Sequence, residues 1–242
     1  MKRGLFRTVS GLAVLLMFVA SVQATTITFG VINEDPPGTF TPSHANNADV
    51  PVDFGSNVTA DSDDFVVTDG TGATPDIGLT WWAPAANFWE FHSGTNMSDN
   101  GFDVPVVQMD METGDTYASI TFTTESPDAA VVLHSVDMGD ATGHDPNAAD
   151  STWDLSITRV SDMTVMKTVH AGPYDETPYV ETVMLDFVGE LGEDYILTFT
   201  DTDGEPKIYT NLDNLSFSQV PEPSTLVLLL TLAGFVAVWR RK

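Results

Sequence analysis

The sequence predicts an all-β domain, a two-sheet antiparallel sandwich of jelly-roll type, set between an N-terminal signal helix and a C-terminal transmembrane helix. Three observations lead there. Apolar and polar residues alternate at period two in several short runs, Gly- and Asp-rich turn signals separate those runs, and no useful helical periodicity occurs outside the two ends. The middle segment, 25–219, has the length of one ordinary domain and can bury a core without cross-links.

Taken in chain order, Ile27 and Phe29 begin the alternation. The stretch from Gly55 to Trp82 is rich in Asp, Gly and Thr and alternates little, so it reads as long loops with one or two edge strands. Tyr117 to Thr123 alternates strictly, with Ala118, Ile120 and Phe122 on one face and hydroxyls on the other. Ala129 to Leu133 is a continuous apolar run suited to a strand buried on both faces. Trp153, Leu155 and Ile157 resume the alternation, followed by Val183, Leu185 and Phe187, then Tyr195, Leu197 and Phe199. Leu215 and Phe217 close it. Asp201 to Glu205 reads as a hairpin turn leading to Ile208.

The ends carry different signals. Lys2, Arg3 and Arg7 precede an apolar run from Gly11 to Ala20, and Val22-Gln23-Ala24 offers small residues at the positions that signal peptidase inspects. Residues 1–24 are therefore expected to be a signal peptide cleaved after Ala24, with an uncleaved anchor as the alternative. At the other end, Leu226 to Trp239 holds no charge and is followed by Arg240-Arg241-Lys242. Those fourteen residues give a helix of roughly 21 Å, short of the roughly 30 Å hydrocarbon core even when Pro223, Ser224 and Thr225 start it. Such a span suits temporary retention. The terminal basic cluster should stay cytoplasmic, leaving the middle domain outside.

Val220-Pro221-Glu222-Pro223-Ser224-Thr225, then a short apolar helix, then Arg240, Arg241 and Lys242, resembles the PEP-CTERM sorting signal of Gram-negative, exopolysaccharide-producing bacteria. The resemblance covers residues 220–242. It implies recognition by an exosortase, a membrane-embedded transpeptidase that cleaves near the Pro-Glu-Pro after transient anchoring in the inner membrane. Tails of this kind also carry an ice-binding-protein C-terminal label, which says nothing about the middle domain. A second resemblance rests on Ala130 to Gly139 and Asn211 to Phe217, which look like strands of galactose-binding-like jelly rolls. It implies a carbohydrate-binding ectodomain, and a structural Ca²⁺ held by an Asp near the start of the last strand. Asp213 would fill that role, with Glu34 or Asp35 from the N-terminal side.

Charge narrows the partners. Between 25 and 219 three basic residues, Arg159, Lys167 and Lys207, stand against thirty-four acidic ones, a net charge of −31. Such a field repels nucleic acid, anionic lipid and anionic polysaccharide and attracts cations. Cysteine is absent, which removes disulfides and thiol nucleophiles. The five histidines show neither HExxH nor HxH spacing, and no GxSxG or phosphate-binding loop occurs.

Three groups of residues could still carry chemistry. Asp213 shares the alternation phase of Leu215 and Phe217, so in a regular strand its carboxylate points to the core side and needs backbone amides or a metal as partners. The loop bearing Asp137, Asp140 and Asp145 offers hard oxygen ligands for Ca²⁺ without matching an EF-hand, and an ordinary polar loop would look the same. Trp81, Trp82 and Trp89 are either a stacking platform for sugar rings or a plug closing one end of the sandwich. Adjacent Trp81 and Trp82 cannot share a face. The expected function is that of an exported, exosortase-processed acidic surface or matrix protein without catalysis. The alternatives are a carbohydrate-binding module with structural calcium and, third, a polysaccharide-active enzyme.

Overall fold

Period-two alternation becomes strand in the runs around Ile120, Leu155, Leu185, Leu197 and Phe217. A computed structural model describes residues 24–27, 31–33, 39–41, 48–58, 74–83, 88–92, 106–111, 117–140, 152–174, 180–202 and 208–220. The expected signal peptide, the Pro-Glu-Pro tail, Glu34, Asp35 and Asp145 lie outside them. Among the described residues no helix is long and apolar enough to cross a membrane.

Fourteen strands occur among the described residues. The first four are short: β1 (Thr25–Ile27), β2 (Val31–Asn33), β3 (Thr39–Thr41) and β4 (Ala48–Asp49). Then come β5 (Ile77–Trp82), β6 (Phe88–His92), β7 (Val106–Met111), β8 (Tyr117–Thr124) and β9 (Ala130–Asp140). The last five are β10 (Trp153–Arg159), β11 (Thr164–Ala171), β12 (Val180–Val188), β13 (Tyr195–Asp201) and β14 (Ile208–Val220). One sheet has the order β11-β10-β13-β8-β5; the other has β12-β9-β14-β7-β6-β4, with β1 beside β14; β2 and β3 pair separately. All pairings among the described strands are antiparallel. From β7 onward the chain mostly switches sheet at each connection, the habit of a jelly roll.

Two elements depart from expectation. The turn expected at Asp201–Glu205 does not join paired strands, because β13 and β14 belong to different sheets; residues 203–207 themselves lie outside the described residues. The strand β9 runs through Asp140, so Asp137 and Asp140 are strand residues and not part of a loop.

The core lies between the two sheets and is held by edge-on aromatic contacts. Phe122 meets Phe217 at 5.4 Å and 72°, Trp89 meets Phe199 at 5.8 Å and 78°, and Phe187 meets Tyr195 at 4.9 Å and 69°. Each contact joins one sheet to the other, and each adds about 0.5–1.5 kcal/mol beyond simple burial. Gly189 passes so close to the Tyr195 ring that a Cβ there would lie 2.5 Å from it, which excludes any larger residue without a shift. Every strand of the two large sheets falls between Thr25 and Val220.

Candidate functional site

Strand β5 puts its core side chains, Ile77, Leu79 and Trp81, inward and Gly78, Thr80 and Trp82 outward. Trp81 is buried against Phe54 and Trp89, and its indole N–H donates to the Phe54 carbonyl at 2.8 Å. Trp89 is buried as well and donates to the Trp82 carbonyl at 3.1 Å. Both belong to the core, so two of the three tryptophans serve as the plug.

Trp82 does not. It is 44% exposed and lies beside Tyr117, which is 43% exposed, with ring centroids 5.4 Å apart and planes tilted by 32°. Trp82 faces Ser119 in register, so Tyr117, two residues away on β8, is its diagonal neighbour. Sequence reasoning missed Tyr117. The signal was available: it occupies the hydroxyl face of a strictly alternating strand whose other face is Ala118, Ile120 and Phe122.

The register extends this aromatic pair into two rows across the outer face of the five-stranded sheet. One runs Trp82, Ser119, Thr198, Ser156, Thr168; the other runs Tyr117, Thr200, Asp154, His170. At the far edge His170 Nδ1 is hydrogen-bonded to Asp154 Oδ1. Five strands at about 4.8 Å spacing make a ledge roughly 19 Å wide, aromatic at one edge and hydroxyl-bearing across the middle. Ser119 is buried beside the ring pair, while Ser156, Thr198 and Thr200 are half-buried and Thr168 is exposed. Hydroxyls and aromatic faces together suit a neutral sugar chain, whose rings stack and whose hydroxyls exchange hydrogen bonds with those Ser and Thr side chains.

The expected metal ligands come together only in part. Asp213 and Asp137 are directly opposed on β14 and β9. Val136 and Met138 on either side of Asp137 are core residues, so Asp137 and its partner Asp213 face away from the core. The expected core-side Asp213 is thus corrected, although at 3% exposure it is buried as foreseen. The cause is a break in alternation: Asn214, at φ 49°, and Leu215 occupy β14 between Asp213 and Ser216, opposite the single residue Val136. The extra residue lets both Leu212 and Leu215 enter the core and turns Asp213 outward.

Asn214 also bridges the two acids. Its backbone N–H donates to Asp213 Oδ1 at 2.7 Å, and its Nδ2 donates to Asp137 Oδ2 at 2.9 Å. Thr182 Oγ1 donates to the other Asp137 oxygen at 2.6 Å. Hydrogen bonds already engage these carboxylates, and among the described residues no group of three or more metal-binding side chains converges. The described donors do not by themselves complete a calcium shell. Asp140 is described only through its strand pairing.

Replacing Asn214 with alanine should cost about 1–3 kcal/mol, because Asp137 loses a donor and a Cβ-bearing residue must hold a left-handed conformation without local hydrogen bonding. Asn214→Gly should recover the backbone part alone. Urea midpoints for the two variants separate these contributions.

Among solved structures the chain is similar to TmCBM61 in complex with β-1,4-galactotriose, with TM-score 0.36 and 11% identity over 60% of this chain and 88% of that one. It is also similar to CBM28, described as a carbohydrate-binding module specific for non-crystalline cellulose (TM-score 0.37, 12% identity, 69% of this chain and 99% of that one). An exo-β-agarase gives TM-score 0.32 and 11% identity over 72% of this chain and 26% of that one. At this level the likeness does not reach individual binding residues. No curated protein matches the sequence. Residues 219–242 match the PEP-CTERM protein-sorting motif, so the described β-sandwich is the ectodomain of an exported, transiently membrane-anchored protein that carries its exosortase address directly behind its last strand.

Proposed function

We propose that this chain is a non-catalytic cell-surface or matrix protein that holds neutral extracellular polysaccharide on the outer face of its five-stranded sheet. The observation that carries the reading is the Trp82–Tyr117 pair. Two large aromatic rings stand exposed together at one edge of a hydroxyl-lined ledge, while their neighbours Trp81 and Trp89 are buried. The domain's charge of −31 selects against anionic polymers by repulsion, which favours an uncharged glycan. The test is retardation of the purified 25–220 domain in native gels cast with neutral polysaccharides. Retardation is expected and should be lost in Trp82→Ala and Tyr117→Ala; migration unaffected by every polymer, or by both substitutions, removes the reading.

A structural calcium ion is a subsidiary reading, favoured by the direct opposition of Asp137 and Asp213. Like charges opposed on one sheet face repel, and a divalent cation with further oxygens from Asp140, Asp145, Glu34 or Asp35 would relieve that repulsion. It predicts a melting temperature raised by Ca²⁺ and lowered by chelator, and melting indifferent to both removes calcium from the proposal.

A further inference from the structure

The sorting motif leaves the sandwich at one end and the aromatic ledge lies toward the other. Val220 closes β14 opposite Ala130, the first residue of β9. Beside it, Gln219 and Asp76 are joined by two hydrogen bonds: the Asp76 backbone N–H donates to Oε1 at 3.1 Å, and Nε2 donates to Asp76 Oδ2 at 2.8 Å. Asp76 immediately precedes β5, and Trp82 comes six residues later, roughly 20 Å further along the strand. The β8 strand agrees, since Thr124 lies at the Val220 end and Tyr117 seven residues away from it. Ring contacts keep the two sheets level, Phe122 with Phe217 nearer Val220 and Trp89 with Phe199 nearer the ledge.

The connection to the membrane is short by comparison. Five residues separate Val220 from Leu226, where the apolar run begins, and even fully extended they reach only about 20 Å. We infer that the tethered protein stands with its Val220 end at the bilayer and its Trp82–Tyr117 ledge directed away from it. It would then be open to polymer before the exosortase acts. This rests on the polysaccharide reading for the partner and on the Leu226–Trp239 span for the tether. Capture therefore does not wait for sorting: the anchored form already binds.

The absence of cysteine makes the orientation directly measurable, because one introduced thiol labels one place. In the chain from Thr25 to Lys242 reconstituted in lipid nanodiscs, a fluorophore on Asp128→Cys should be strongly quenched by headgroup-linked quencher. The same fluorophore on Thr80→Cys should be quenched several-fold less. Both positions are exposed, and a fold check by circular dichroism accompanies each. Equal quenching, or the reverse order, overturns the orientation whether or not any glycan binds. In a parallel arm, nanodisc-bound and free domain should retain a neutral polysaccharide within about threefold of each other. Binding by the free domain with tenfold weaker binding in the nanodisc overturns the inference; binding by neither sinks the polysaccharide reading alone, and the quenching result still decides orientation.

Discussion

Replacing Trp81 with alanine should destabilise the domain by about 3–5 kcal/mol, whereas the same change at the adjacent Trp82 should cost only about 1 kcal/mol and abolish polysaccharide retention. Trp81 is 4% exposed, packs edge-on against Trp89 at 5.1 Å and donates to Phe54. Its removal leaves a cavity and strips the buried Phe54 carbonyl of this donor. Against a typical domain stability of about 5–15 kcal/mol, that is a large fraction, visible as a melting shift on the order of 10 °C. Trp82 is 44% exposed and pairs with Tyr117 at the surface, so its loss removes that ring pair without opening a cavity in the core. Thermal melting and gel retardation of the two variants should thus give opposite patterns. A Trp82→Ala domain that melts like Trp81→Ala would show that the exposed ring is structural and would remove the basis of the glycan proposal.

The second large effect lies in the tail. Changing Pro221, Glu222 and Pro223 together to alanine should leave the protein exported but unprocessed, retained in the membrane fraction as precursor. The chemistry behind this is recognition: residues 219–242 match the sorting motif, Pro-Glu-Pro is its most distinctive part, and the apolar run behind it suits temporary retention. Fractionation followed by immunoblotting reads the outcome. Unchanged release would mean that the ectodomain or the basic terminus, and not the Pro-Glu-Pro, carries the address. The strand that ends at Val220 is untouched by the substitution, so misfolding does not confound the result.

Much of the sandwich was legible because strict alternation is written locally. The strands around Ile120, Leu155, Leu185, Leu197 and Phe217 all formed with the expected residues inward. Six strands escaped notice: β2, β3 and β4 are only two or three residues long, and β6, β7 and β11 alternate less cleanly. In β11, Met166 and Val165 stay exposed while Lys167 sits partly inward, its ammonium donating to the Asp186 carbonyl of the neighbouring edge strand β12. Hydropathy alone cannot recover an edge strand whose lysine faces the partner sheet. The hairpin pairing expected around Asp201–Glu205 failed for another reason. Turn chemistry marks where a chain reverses, and reversal looks the same whether the next strand pairs with the last or crosses to the other sheet.

What the sequence determined by itself was whatever depends on neighbours along the chain: the alternating strands, the all-β class, the acidic field and the export address in its last residues. It also established that Trp81 and Trp82 face opposite ways, because successive side chains on a strand must. Only the tertiary structure decided which of them is buried and which stands exposed. That choice depends on Phe54 and Trp89 closing over Trp81 from the other side of the core, and on Tyr117 arriving beside Trp82 from a strand thirty-five positions further on. Asp213 follows the same logic. Alternation aimed it at the core, and one inserted residue, Asn214, at the register shift against β9, turned it to the other face, where it meets Asp137. Register between distant strands is set by packing across the whole sheet, and a single extra residue reverses the facing of the residues beyond it.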